Sequence, residues 1–89
     1  MLIGRVKGTI VATQKDERLV GYKLLIVQQL DADGTPISRD MVAVDSSLSA
    51  GIGERVLLCS GSPAKSHLDN PMAPIDLTVV GIIDQIEVG

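Results

Sequence analysis

Apolar and polar positions alternate through "LIGRVKGTIVAT" at the start of the chain. Leu2, Gly4, Val6, Gly8, Ile10 and Ala12 form one set, apolar or small, and Arg5, Lys7, Thr9 and Thr13 fall in the other. A period of two is the mark of a strand with one face buried. The glycines weaken that strand locally and predict strong coiling or a close backbone approach. "QKDERLVG" is polar, closes on Gly21 and reads as a loop. "YKLLIVQQL" is the next strand. Leu24, Leu25, Ile26 and Val27 make it apolar on both faces, so one face is expected on the core and the other on a neighbour.

After "DADGTP" the run "MVAVD", Met41 to Asp45, reads as a short β-branched strand. "SSLSAGIG" is a turn-rich connection, and "ERVLLCS", Glu54 to Ser60, is a fourth strand. "GSPAK" suits a helical turn, with Ser62 as its N-cap and Pro63 in its first position. "HLDNPMAP" is a loop with two prolines, and "IDLTVVGIIDQIEV" is a last strand or bent pair with Gly81 at the bend. Short strands separated by turn signals predict a mainly β protein. The expected architecture is a small closed β-barrel with one short helical turn, in a single domain over residues 1–89.

"DADG" raises the possibility of a calcium loop. An EF-hand loop beginning at Asp31 needs Gly in its sixth place and Glu in its twelfth. Pro36 and Val42 stand there, and both flanks read as strands. The stretch is a hairpin turn with Asp33-Gly34 at its tip.

Composition narrows the function. The chain has 89 residues, no Trp or Phe, and Tyr22 as its single aromatic residue, so the core must be aliphatic. A domain of this size usually leans on disulfides, metals or partner subunits. Cys59 is the lone cysteine, which excludes an internal disulfide, and with an N-terminus unlike a secretion signal it fits a reducing cytoplasm. The high aliphatic content suggests that some apolar surface meets a partner. No apolar run reaches the ~20 residues of a membrane span. The net charge of −3 opposes binding to nucleic acid or an anionic membrane.

Candidate chemistry is sparse. His67 is the single histidine and lies in a loop, while Cys59 lies in an apolar strand as an inert buried thiol. One Cys and one His cannot build a structural zinc site of about four ligands. "GIG" at Gly51–Gly53 precedes a strand and is no dinucleotide fingerprint, and "GSPAK" lacks the order of a phosphate loop. Neither an enzyme, a metal site nor a cofactor is expected. A small barrel also suggests a monomeric OB-fold oligonucleotide-binding module, but that function needs aromatic platforms and a basic groove.

"GTIVATQKDERLVGYKLLIVQQLDADG", "VAVDSSLSAGIGERVLLCSGSPAK" and "APIDLTVVGIIDQIEV" together resemble the EutN/CcmL family, the pentameric vertex proteins of bacterial microcompartment shells. The resemblance covers nearly the whole chain. The family's Gly-Ser-Ser-Ala-Arg run stands here as Gly61-Ser62-Pro63-Ala64-Lys65, and its Pro-Val-Asp as Pro74-Ile75-Asp76. Lys65 keeps the positive charge but loses the planar fork of Arg.

The resemblance implies a β-barrel protomer that assembles as a homopentamer. It would cap the fivefold vertices of a shell in the cytoplasm, beside the hexameric shell proteins of the same compartment. It implies no nucleic acid, no membrane and no cofactor. Gly61, Ser62, Ala64, Lys65, Pro74 and Asp76 are then the residues expected near a subunit boundary or the central opening.

Overall fold

Five strands stand in the computed structural model, which describes residues 1–60 and 76–89. They are β1 (Leu2–Ile10), β2 (Lys23–Leu30), β3 (Pro36–Asp45), β4 (Arg55–Ser60) and β5 (Leu77–Ile82). They close into a barrel in the order β1-β2-β3-β5-β4. The β3–β5 pair is parallel, held at Val44 and Thr78, and every other pair is antiparallel. Closure joins β1 to β4, with Leu2 opposite Leu58 and Gly4 opposite Val56.

The interior is aliphatic, as a chain almost without aromatic residues requires. Val6, Leu25, Val27, Ala43, Ala50, Val56, Leu58, Leu77 and Val79 form one buried cluster, with Leu2, Met41 and Ile82 packed against it. Each fully buried Leu or Val is worth about 1.5–3 kcal/mol of transfer free energy. Alternation along β2 sends Leu25 and Val27 inward and leaves Leu24 and Ile26 outside, as the two-faced apolar run predicts.

The single alternating set expected in β1 is broken. Val6 pairs with Val27, but Gly8 pairs with Ile26, so Lys7 is an extra residue in the ladder. A bulge of this kind shifts the facing of everything beyond it. Gly4 and Val6 face inward, whereas Gly8 and Ile10 lie outside with Ile26 and Leu24. The close approach expected of the glycines occurs at Gly4: a Cβ there would lie 2.6 Å from Leu58 Cδ1 and 3.2 Å from the Gln28 carbonyl oxygen.

β3 begins at Pro36, earlier than the Met41 suggested by its apolar run. Side-chain bonds carry the polar part. Ser38 Oγ accepts the Gln29 N–H at 2.9 Å, and Gln28 Nε2 donates to the Ser38 carbonyl at 2.8 Å. They bridge a register shift between Gln28–Asp40 and Leu30–Pro36. The hairpin tip is the structural turn expected. Gly34 has φ 92°, Asp31 Oδ1 accepts the Asp33 N–H at 3.0 Å and Asp33 Oδ1 the Thr35 N–H at 2.8 Å. Both carboxylates are engaged by the turn itself.

β5 bends where expected. Leu58 pairs with Val79 and Leu57 with Gly81, which makes Val80 the extra residue beside Gly81. The stretch read as a loop, "QKDERLVG", contains a 3-10 turn, Glu17–Leu19, capped by Asp16. The helical turn expected at Gly61–Lys65 lies outside the described residues, as does the loop that holds His67.

Candidate subunit interface

Of the six residues expected near a subunit boundary, Gly61, Ser62, Ala64, Lys65 and Pro74 lie outside the described residues. Asp76 is described and exposed, immediately before β5. Ser60 pairs with Leu77, so the chain leaves β4 and re-enters β5 at one place on the barrel. Asp76 therefore stands at the mouth of the excursion that carries the other five.

A site that sequence reasoning missed lies at the end of β3. Asp45 is 3% exposed, and its carboxylate accepts three backbone N–H groups: Ser47 at 3.2 Å, Leu48 at 2.8 Å and Ala50 at 2.6 Å. Lys23, opposite Asp45 across β2 and β3, donates to the Ala50 carbonyl at 3.0 Å. The pair holds the connection to β4 against the barrel, with Ser49 at φ 55° and Ala50 in the core. An Asp directly before "SSLSA" was the available signal, since Asp side chains accept from backbone N–H groups a couple of residues on in such turns. The connection then folds back on β1, where Gly53 N–H donates to the Val6 carbonyl at 2.8 Å and Val6 N–H to the Glu54 carbonyl at 2.9 Å.

The outer surface is uneven. Leu19 and Tyr22 pack over Leu24 and Val44, which makes a small second cluster outside the barrel. Tyr22, the one aromatic ring, thus packs in that cluster and not on an open basic groove. Elsewhere apolar side chains stand in solvent: Val42 in mid-strand, Ile37 beside the hairpin tip, and Ile52 in the connection to β4. Arg5 faces Arg55 across β1 and β4.

Among the described residues no chemistry for catalysis is brought together. Cys59 is buried beside its ladder partner Thr78, and no cluster of three metal-ligating residues occurs among the described residues. Asp16 and Arg18 form an exposed two-point pair, with Nη2 to Oδ2 at 2.7 Å and Nε to Oδ1 at 2.9 Å. The side-chain hydrogen bonds from Arg18, then its backbone N–H, hold the Asp16 carboxyl down at about 2. That pair caps the 3-10 turn and orders the path from β1 to β2.

Comparison with known proteins places this geometry in context. A family model described as ethanolamine utilisation protein EutN/carboxysome matches residues 1–84. The carboxysome shell vertex protein CcmL of a Nostoc species is 47% identical over 99% of this chain and 87% of its own length. The microcompartment shell vertex protein PduN of Salmonella typhimurium is 49% identical over 97% and 98%. Among solved structures, the GrpN pentameric microcompartment shell protein from Rhodospirillum rubrum superposes with a TM-score of 0.88, at 40% identity and full coverage of both chains. An ethanolamine utilization protein, EutN, superposes with a TM-score of 0.92, at 40% identity over 99% of this chain and 91% of that one.

Proposed function

Because the chain belongs to the EutN/CcmL family of microcompartment shell vertex proteins, we infer that it forms pentamers at the corners of a bacterial microcompartment shell. It is a structural component and not an enzyme. The observation that carries this is full-length superposition on a pentameric shell protein at 40% identity. Vertex proteins from carboxysomes and from other microcompartments both match the chain along nearly its whole length.

The physics of closure gives the role its form. A flat layer of hexagons cannot close on itself, and a closed polyhedral shell needs fivefold corners. In a ring of five, each protomer meets its neighbours through two different surfaces, and the rotation closes. A small barrel without disulfides gains from this association, because binding of the folded state shifts its stability by mass action.

The partners at the rim of the pentamer are the hexameric shell proteins of the same compartment. The excursion between Ser60 and Leu77, with Gly61, Ser62, Ala64, Lys65, Pro74 and Asp76, is the segment we assign to the subunit boundary or the central opening. The match of its sequence to the family run, and the exposure of Asp76 beside β5, support that reading. Lys65 would seek a carboxylate, with Asp76 of the same or the next protomer as the candidate.

Light scattering coupled to size exclusion tests the assembly. The expected mass is that of five chains, and a monodisperse monomer at micromolar concentration overturns the reading. In the same assay Lys65→Glu is expected to dissociate at higher protein concentration than the wild type. Unchanged dissociation across dilution and salt removes the boundary role of Lys65.

A further inference from the structure

The tip of the β2–β3 hairpin holds an aspartate followed by glycine, Asp33-Gly34. In such a pair the main chain can rearrange, because glycine has no side chain to shield its amide nitrogen. The Gly34 nitrogen attacks Cγ of the protonated Asp33 carboxyl. The N–H proton leaves with the carboxyl hydroxyl as water, and a cyclic imide closes between the two residues. Water then opens the imide at the former main-chain carbonyl. The chain now runs through the Asp33 side chain, which is isoaspartate, with one extra main-chain atom and no change in mass or oxidation state.

Bulk does not protect the pair. Asp31, Ala32, Asp33 and Thr35 are exposed, and beyond its chain neighbours nothing lies within 4 Å of where a Gly34 Cβ would stand. Hydrogen bonds engage both reacting groups instead. The Gly34 N–H, whose proton must leave, donates to the Asp31 carbonyl at 3.0 Å. Asp33 Oδ1 accepts the Thr35 N–H at 2.8 Å, which ties the carboxylate to the amide one residue beyond the one it would have to meet. The Asp33 N–H donates to Asp31 Oδ1 at 3.0 Å and the Asp31 N–H to the Thr35 carbonyl at 2.9 Å, so the turn is closed on itself. Leu30 and Pro36 are paired directly behind it.

We propose that Asp33-Gly34 is a latent isoaspartate modification site, locked by the Gly34–Asp31 and Asp33–Thr35 hydrogen bonds and released when the hairpin tip opens. A reaction confined to the open form proceeds in proportion to the population of that form. The product cannot return to the same turn, because the extra main-chain atom falls inside the loop that the Asp31–Thr35 bond closes. Isoaspartate at this position is therefore a permanent record of how often the tip has opened. All these bonds lie within one chain, so the expectation is the same for protomer and pentamer.

The test is to age the protein at neutral pH and follow isoaspartate by peptide mass spectrometry with electron-transfer fragmentation, which tells the two linkages apart. The folded wild type is expected to form it at least about tenfold more slowly than the chain unfolded in urea. Thr35→Pro removes the N–H that Asp33 accepts but keeps the carbonyl that Asp31 uses. Folded Thr35→Pro is expected to form isoaspartate at least about threefold faster than the folded wild type. Formation in the folded wild type at the unfolded-chain rate overturns the proposal, as does a folded Thr35→Pro protein that ages no faster than the wild type. If Thr35→Pro does not fold, amide hydrogen exchange of the wild type decides. Gly34 and Thr35 are expected to exchange at least about tenfold more slowly than in the unfolded chain, and unprotected exchange at either overturns the lock.

Discussion

Lys23 and Asp45 face each other across β2 and β3 and hold opposite sides of one residue, Ala50: Lys23 donates to its carbonyl and Asp45 accepts its N–H. The two bonds are unequal in consequence. Removing the Asp45 carboxylate strands three backbone donors, whereas removing the Lys23 ammonium strands a single acceptor. Asp45→Ala is expected to lower stability by about 3 kcal/mol and Lys23→Met by about 1 kcal/mol. Urea midpoints at a fixed protomer concentration check the difference, because ring assembly makes apparent stability concentration-dependent. Equal effects would mean that the connection is held by something other than the carboxylate.

Gly4 is expected to be intolerant of any side chain. A methyl group there meets Leu58, a fully buried core residue, at 2.6 Å, and the Gln28 backbone at 3.2 Å. Gly4→Ala should therefore cost about 1–3 kcal/mol through overpacking. Gly81→Ala is the control, since its methyl group meets Leu57 at an ordinary 3.5 Å. Its expected change is within about 0.5 kcal/mol.

Thr78 has 0% exposure, and its hydroxyl has no hydrogen-bond partner among the described residues. Replacing a buried unsatisfied hydroxyl by a methyl group of similar shape removes a desolvation cost. Thr78→Val is expected to stabilise the protein by about 1 kcal/mol. Thermal denaturation checks the sign, and a destabilised variant would show that the hydroxyl has a partner.

Asp16 gives a pH signature. Its carboxyl is held at about 2, below the ordinary 3.8, chiefly by the side-chain hydrogen bonds of Arg18. A depressed folded-state pKa stabilises the protein above the unfolded value, and that contribution is lost as pH falls from 3.8 through about 2. The expected observation is an NMR titration of the Asp16 carboxyl with its midpoint near 2. Arg18→Gln should move that midpoint up towards 3.8. An unmoved midpoint would assign the shift to the turn's backbone.

The barrel was legible in the sequence because its strands are short, apolar and separated by turn residues. Leu25 and Val27 point inward and Leu24 and Ile26 outward, as a two-faced strand requires. The extra residue at Lys7 was not legible. It depends on which residue of β2 stands opposite, and the local pattern "GRVKGTI" continues to alternate across it. The early start of β3 was hidden for a related reason: the bonds of Ser38 to Gln28 and Gln29 replace the apolar signal. Arg5 opposite Arg55 is a product of barrel closure between β1 and β4, which no local window contains. The family run at Gly61–Lys65 was recognisable as a motif, but it lies outside the described residues.

The Leu2–Leu58 pairing that closes the barrel has a consequence during synthesis. β1 leaves the ribosome first, and β2 can cover one of its edges early. Its other edge is covered by Arg55–Ser60, which emerges far later. Until then a nascent chain carries an open, aliphatic strand edge, the feature that most readily recruits foreign strands. A cell making many copies at once must either keep these chains apart or finish each barrel quickly. Slow translation after β3 is therefore expected to increase insoluble product, and slow translation before β2 to have little effect.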